Sequence, residues 1–361
     1  MTRLAHLGLG AFFRAHQAWY TERANALAPG DPAPAEQWRY TAFTGRSPEL
    51  AAALTAAGNR YTLVERGAEG DESTQVTSIA ASFAGDDTDA WTAAFCDPEL
   101  AVVTVTVTEA GYDAATSPAP GRLLSGLAAR RAAGGGPLAL VSCDNLAGNG
   151  EVLHGAVVRL AEASDLDLAR WIERKVTFPS TMVDRITPHS SDPLTVITEP
   201  FSEWVIAGDF PAGRPAWDAV GARFVDDVAP FERRKLWLLN AAHSTMTYLG
   251  LLRGFETIDQ AWGDDEIRAT VEQLWNEVRP VLGFEDAETD AALAALRPRF
   301  ANPRIAHRLE QIARQGREKL AQRQRAIMAA RLEAGLPAGD ACRATIEAFD
   351  EIVKKGIARV D

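Results

Sequence analysis

The chain has 361 residues, 47% of them apolar, and a formal net charge of −12. That is more chain than one hydrophobic core usually serves, so two domains are expected. The acidic balance argues against nucleic acid or an anionic membrane surface as a partner, and the apolar stretches fall far short of the ~20 residues that span a bilayer.

The start, Met1-Thr2-Arg3-Leu4, runs straight into strand-like residues without the pattern of a signal peptide. The cysteines, Cys96, Cys143 and Cys342, are odd in number and widely spaced. That suits a reducing cytoplasm and not a disulfide framework. A cytoplasmic protein, monomer or small homo-oligomer, is expected.

The first 200 or so residues alternate β-rich runs with helical stretches, the pattern of a parallel sheet covered by helices. Leu4–Leu9 reads as a first strand, Ala15–Ala26 as a helix, Tyr40–Phe43 as a second strand and Pro48–Ala57 as a second helix. Arg60–Glu65 and Thr74–Phe83 read as strands around a turn at Gly67–Asp71. Asp87–Phe95 reads as a helix and the β-branched run Ala101–Thr108 as a buried strand. A helix ending near Gly134, a buried strand at Leu138–Ser142 and a helix at Asn149–Ala163 follow. After Lys175 come short β-like pieces between proline turns. From Pro230 the periodicity is helical, with breaks expected at Gly254, Gly283, Pro298, Pro303 and Gly335. The fold class is therefore α/β: a Rossmann-type domain over 1–229 and a mainly helical domain over 230–361.

The first strand ends in Gly8-Leu9-Gly10-Ala11-Phe12-Phe13-Arg14. Two glycines two apart, between a strand and a helix, open a dinucleotide fingerprint. Gly8 permits the tight turn, and Gly10 lets the backbone approach a pyrophosphate on the helix N-terminus. The third glycine position is Phe13, so the pattern is incomplete, and a purely structural turn would use the same glycines. Gly8, Gly10, Phe12 and Phe13 are the candidate cofactor contacts here. After the second strand the only acid is Glu49, a candidate for the adenosine ribose, while Arg46 would meet a 2′-phosphate or stand solvated. NAD is expected, with NADP left open.

Phe231–Ser244 is the most informative segment. Its apolar residues fill most of a helix circumference, so its polar members need an explanation. At about 100° per residue, Glu232, Lys235, Asn240 and His243 share roughly a 140° arc. Oxidising an alcohol needs a base, which a buried lysine can supply, and a donor for the developing alkoxide, which an amide can supply. A boundary helix with ion pairs and buried hydrogen bonds would show the same residues. Asn145 follows a buried strand, where ligands of open α/β sheets collect, or it makes an Asx turn. Asp184-Arg185 reads as a structural ion pair. No Cys-x2-Cys or His-Glu-x2-His is present, so no metal site is expected.

These segments resemble the polyol-specific long-chain dehydrogenases, the mannitol dehydrogenase family. The likeness lies in Gly8–Gln17, Tyr61–Gly67, Thr108–Tyr112, Ser142–Gly150, Phe178–Pro188, Lys235–Ser244 and Asn302–Arg308, in family order. It implies a Rossmann-type domain, a helical domain, an active site between them and no catalytic metal. By position, Lys235 resembles the general base, and Asn240 and Asn145 the oxyanion donors. His243 resembles a substrate ligand, and Glu232 and Glu109 gates on a proton path. Arg304, His307 and Lys319 resemble further substrate contacts.

The resemblance implies NAD-dependent hydride transfer between a linear polyol and its ketose, with mannitol and fructose the leading pair. Hexuronate reduction (fructuronate to mannonate, or tagaturonate to altronate) is the alternative. A catalytically silent, cofactor-binding sensor or subunit is an alternative of another class. Two departures bear on the substrate. Ile186–Glu199 is short, and Ala321-Gln322-Arg323-Gln324 replaces a proline-containing continuation.

Overall fold

A computed structural model describes residues 2–27, 37–45 and 48–358. The chain divides into two units, one of Met1–Glu65 and Asp71–Val228, the other of Arg66–Gly70 and Ala229–Asp361.

Twelve strands are described, numbered here in chain order. They are β1 (Thr2–Leu7), β2 (Arg39–Phe43), β3 (Tyr61–Arg66), β4 (Asp71–Val76), β5 (Ile79–Phe83) and β6 (Val102–Val105). After them come β7 (Leu138–Ser142), β8 (Val176–Thr177), β9 (Ser180–Asp184), β10 (Thr195–Thr198), β11 (Glu203–Ala207) and β12 (Arg223–Phe224). The main sheet has six strands in the order β5-β2-β1-β6-β7-β8, every pair parallel. Counted along this sheet alone the order is 3-2-1-4-5-6, that of a doubly wound dinucleotide-binding fold. The order reverses between β1 and β6, and a crevice opens there at the strands' carboxyl ends.

The buried, β-branched character of β6 follows from burial on both faces. Val102 packs with Leu4, Phe13 and Trp19, whereas Val103 and Val105 pack with Trp91, Phe95 and Leu123. Alternate residues thus serve opposite layers. His6 in β1 is a core residue. Its Nδ1 lies 2.8 Å from Thr104 Oγ1 and its Nε2 3.1 Å from Thr106 Oγ1, and its ring stacks on Phe13 at 3.6 Å. Thr106 spends its own proton on Gly8 O at 3.0 Å, so Nε2 carries the imidazole proton and Nδ1 accepts. Burial holds this histidine down to about 3.

Two elements differ from expectation. The helix after the glycine turn begins sooner and breaks once: Ala11–Ala15, an interruption at His16 (φ −122°, ψ −86°), then Gln17–Asn25. The cause is competition for carbonyls. Tyr61 OH donates to Arg14 O at 2.6 Å and Arg185 Nη1 to Ala15 O at 2.6 Å. Arg185 is structural as expected, but the carboxylate it pairs with is Glu65. The expected strand Thr74–Phe83 is two strands of two sheets. It parts at Thr77, whose amide donates to the Glu22 carboxylate at 2.7 Å, and Ser78, whose hydroxyl donates to Ala18 O at 2.7 Å.

The second unit is helical. Helix Asp286–Phe300 runs through Pro298, where a break was expected, and Asp265–Leu282 likewise contains Pro280. Each proline sits in the last turn, where it removes one amide donor to the turn before it without ending the helix there. Gly283 and Gly335 do end helices, at φ +83° and +72°. Ala229–Arg234, Lys235–Asn240 and Ala241–Leu252 form one continuous rod, with helical dihedrals at Arg234 and Asn240.

Candidate active site

In the first unit a cleft of about 580 Å³ lies at the carboxyl ends of β1 and β6, lined by Gly8, Leu9, Gly45, Thr106, Thr108 and Ser117 among others. Gly8 makes it possible. Its φ is +109°, and a Cβ there would sit 1.9 Å from Thr106 O. The Gly8 and Leu9 amides both donate to Phe43 O, at 2.9 and 2.8 Å, which draws the ends of β1 and β2 together. Gly10 caps Ala11–Ala15, and the nearest atom to its absent side chain is Gly8 O at 3.5 Å, an ordinary contact distance. A backbone cradle at the switch point is what a dinucleotide pyrophosphate requires.

The other candidates of this unit are distributed as follows. Phe13 is fully buried against His6 and Tyr40, so its side chain is part of the core, and only its backbone is left to face a cofactor. Phe12 is half-buried and stacks on His16 at 5.1 Å. Glu49 is exposed in the first turn of Glu49–Ala56, and Arg46 lies outside the described residues. Glu109 is exposed and opens the short turn Glu109–Tyr112 beyond β6. Asn145 is exposed beyond β7.

In the second unit the segment Lys235–Asn240 is a π-helical turn. The Ala241 amide reaches back five residues to Leu236 O. In an α-helix, residues five apart point about 140° away from each other, and a wider turn brings them closer into line. Lys235 and Asn240 therefore share a face more nearly than α-helical geometry gives. The irregular turn is held by side chains from other helices. Trp275 Nε1 donates to Leu238 O at 2.9 Å, Arg323 Nη1 to Asn240 O at 3.0 Å and Gln324 Nε2 to Ala241 O at 2.9 Å. Arg323 and Gln324 belong to a second π-helical turn, Ala321–Arg325.

One turn beyond Asn240, His243 is buried, with its ring 5.2 Å from His307 and 5.1 Å from Phe300. Burial first, then the neighbouring His307 and the charges of Arg299, Arg323 and Lys319, hold His243 well below the usual imidazole value. His307 is lowered by burial, then by Lys319 and Arg299, and its buried Nδ1 has no hydrogen-bond partner among the described residues. Lys319 is lowered by burial and by Arg323, and its Nζ donates to Ile312 O at 2.9 Å. Burial brings Arg323 down to about 10. Its Nη1 also donates to Ser244 Oγ at 2.8 Å, and its buried Nε has no hydrogen-bond partner among the described residues. Arg304 lies three residues before His307. It is exposed, and its Nη1 donates to Gly67 O at 2.9 Å.

Residues 2–219 match the mannitol dehydrogenase Rossmann domain and residues 227–338 the mannitol dehydrogenase C-terminal domain. The chain belongs to the mannitol dehydrogenase family. It is 38% identical to D-mannonate oxidoreductase of Escherichia coli strain K12, over 89% of this chain and 74% of that one. A substrate-free D-sorbitol dehydrogenase structure matches 98% of this chain and 80% of its own with a TM-score of 0.89 at 27% identity. Mannitol 2-dehydrogenase of Pseudomonas fluorescens, in a ternary complex with NAD and D-mannitol, matches 98% and 79% with a TM-score of 0.80 at 30% identity.

Sequence reasoning passed over the roles of two charged residues, Arg122 and Arg323. Arg122 lines the cleft, its guanidinium against Gly85, where a Cβ would come within 2.7 Å of it. In sequence Arg323 stands in a departure from the family pattern, yet it bonds the turn that carries Asn240. The available signal was its place four residues after Lys319, on the same helix face. Among the described residues no group of three or more His, Cys, Asp or Glu could hold a metal ion, and no helix is long and apolar enough to cross a membrane.

Proposed function

We propose that the chain is a nicotinamide-dependent oxidoreductase of linear polyols and keto-sugars, and that its preferred substrate pair is a sugar acid, mannonate with fructuronate. The observation that carries the choice is the basic cluster of the second unit. Among the described residues Lys319 and Arg323 bond only neutral oxygens, and they lie beside two imidazoles kept neutral by burial. Desolvated cations without a carboxylate partner favour an anion in their place. The likeness to D-mannonate oxidoreductase supports this. The neutral pair, mannitol with fructose, is the second reading, supported by the likeness to mannitol 2-dehydrogenase.

Residues 1–229 would hold the cofactor and 230–361 the substrate. The Gly8 and Gly10 backbone would hold the pyrophosphate, with Glu49 or Arg46 at the adenosine ribose. NAD is the proposed cofactor, since the similar mannitol dehydrogenase binds it. Bound in the cleft, the nicotinamide supplies the two-electron acceptor or donor. Lys235 takes the proton of the reacting hydroxyl on oxidation and returns it on reduction. Asn240 and Asn145 donate to that oxygen as it gains charge. His243, neutral at pH 7, is a hydrogen-bond partner of the substrate and not a proton reservoir. His307, Lys319 and Arg304 bind its hydroxyl and carboxylate groups. Glu232 and Glu109 pass the proton to and from solvent. The reaction is zinc-independent, and the cytoplasm is its place.

The test is a panel of polyols and aldonates, each with NAD and NADP, and the matching ketoses and hexuronates with the reduced cofactors. A kcat/KM for mannonate above that for mannitol by ~10-fold or more is expected. A preference for mannitol would establish the second reading, and no turnover on any member would remove both.

A further inference from the structure

Asp144 lies between Cys143, the first residue beyond β7, and Asn145, and it takes no part in the chemistry proposed above. Its carboxylate is buried and faces donors only. Oδ2 accepts from the Val107 amide at 3.0 Å and from Tyr112 OH at 2.6 Å, and Oδ1 accepts from the Thr108 amide at 2.8 Å. Tyr112 spends its one proton there, so the Ser142 hydroxyl donates to the tyrosine oxygen at 2.5 Å. The Asp144 carbonyl is tied as well, by Asn149 Nδ2 at 2.9 Å.

The segment held in this way is strained. Thr108 has φ +69° and ψ 165°, a region in which only glycine is at ease. Gly111 permits the turn to close, because a Cβ there would lie 2.6 Å from Val107 Cγ2. The same segment is a wall of the cleft, which Thr106, Val107, Thr108, Ala110 and Gly111 line. Glu109 follows the strained residue, and Asn145 follows the carboxylate.

We propose that Asp144 is a positioning residue, whose carboxylate clamps the strained Thr108 turn and so fixes the cofactor-cleft wall and the loops carrying Glu109 and Asn145. It touches neither cofactor nor substrate. Two adjacent backbone amides and a phenol need an acceptor with two oxygens and no hydrogen. An asparagine in its place turns an N–H toward one of the donors and leaves that donor unsatisfied. Burial raises the Asp144 carboxyl, while its three donors favour the charged form. The clamp deepens the oxidoreductase reading, on which the roles of Glu109 and Asn145 rest.

The experiment is a cycle of four proteins: wild type, Asp144→Asn, Thr108→Gly and the double variant. NADH affinity is read by fluorescence titration, folding by thermal melting, and amide exchange by mass spectrometry without cofactor. With Thr108 present, Asp144→Asn is expected to weaken NADH binding ~10-fold, the scale of one strained residue. In the Thr108→Gly background, the same substitution is expected to cost under ~3-fold, since glycine holds the turn unaided. An equal penalty in both backgrounds, or none in either, overturns the clamp. Should Asp144→Asn fail to fold, exchange on the unaltered protein decides. Val107 and Thr108 amides protected ~100-fold or more over a free loop amide support the clamp, and unprotected ones refute it. Neither binding nor exchange depends on turnover, so loss of the oxidoreductase reading would leave this outcome standing.

Discussion

Replacing Arg323 with Gln separates the two substrate readings. The guanidinium donates to Asn240 O and Ser244 Oγ, is brought down to about 10 by burial, and keeps a buried Nε without a hydrogen-bond partner among the described residues. Glutamine retains a neutral donor for the same region and loses the charge. A hydrogen bond to a charged group contributes ~1.5–3 kcal/mol, against ~0.5–1.5 for a neutral one. A carboxylate substrate therefore loses about 1–2 kcal/mol, roughly 5- to 30-fold in kcat/KM, and a neutral polyol under ~3-fold. Global stability changes less, because the lost charged bonds are offset by a cation no longer desolvated. Initial rates with mannonate and mannitol, followed by nicotinamide absorbance, give both ratios. Equal losses on the two substrates would refute an anion-binding role for Arg323.

Gly8→Ala should abolish measurable NADH binding and lower the melting temperature, since its Cβ falls 1.9 Å from Thr106 O at φ +109°. NADH affinity like that of wild type would show that the cleft is not the cofactor's. Acid should destabilise the first unit through His6. Its folded value of about 3 lies below the unfolded ~6.5, so stability is full above pH 6.5 and is lost as pH falls toward 3. At pH 5 the loss from this group is about 2 kcal/mol, and urea midpoints at pH 7 and 5 should converge in His6→Asn. An unchanged pH slope in that variant would remove His6 as the cause. Dialysis against a strong chelator should leave turnover intact, and loss restored by zinc would contradict the metal-free chemistry.

The parallel sheet was legible because β6 and β7 carry β-branched or apolar residues on both faces, a pattern that comes from burial alone. The glycine turn was legible because Gly8 serves a local backbone need. What escaped was decided by distant partners. The helix break at His16 depends on Tyr61 and Arg185 taking two carbonyls from far along the chain. The π turn at Lys235–Asn240 has no residue that announces it, and its freed carbonyls are held by Trp275, Arg323 and Gln324. Phe13 stood in a cofactor motif by sequence position, yet the pairing of β1 with the following helix turns it into the core. The proposed roles of Lys235 and Asn240 rest on residue types on one helix face, and the π turn changes only the angle between those two residues.

The pH–rate profile of Lys235→Ala tests the chemistry most directly. With Lys235 as base, oxidation by the wild type rises with pH through one ionisation and reduction falls through it. The variant should lose ~10²-fold or more in kcat, keep its NADH affinity, lose that ionisation from its profile and regain part of its rate with an added small primary amine. Near-normal turnover with an unaltered profile would place the base elsewhere and contradict the proposed mechanism.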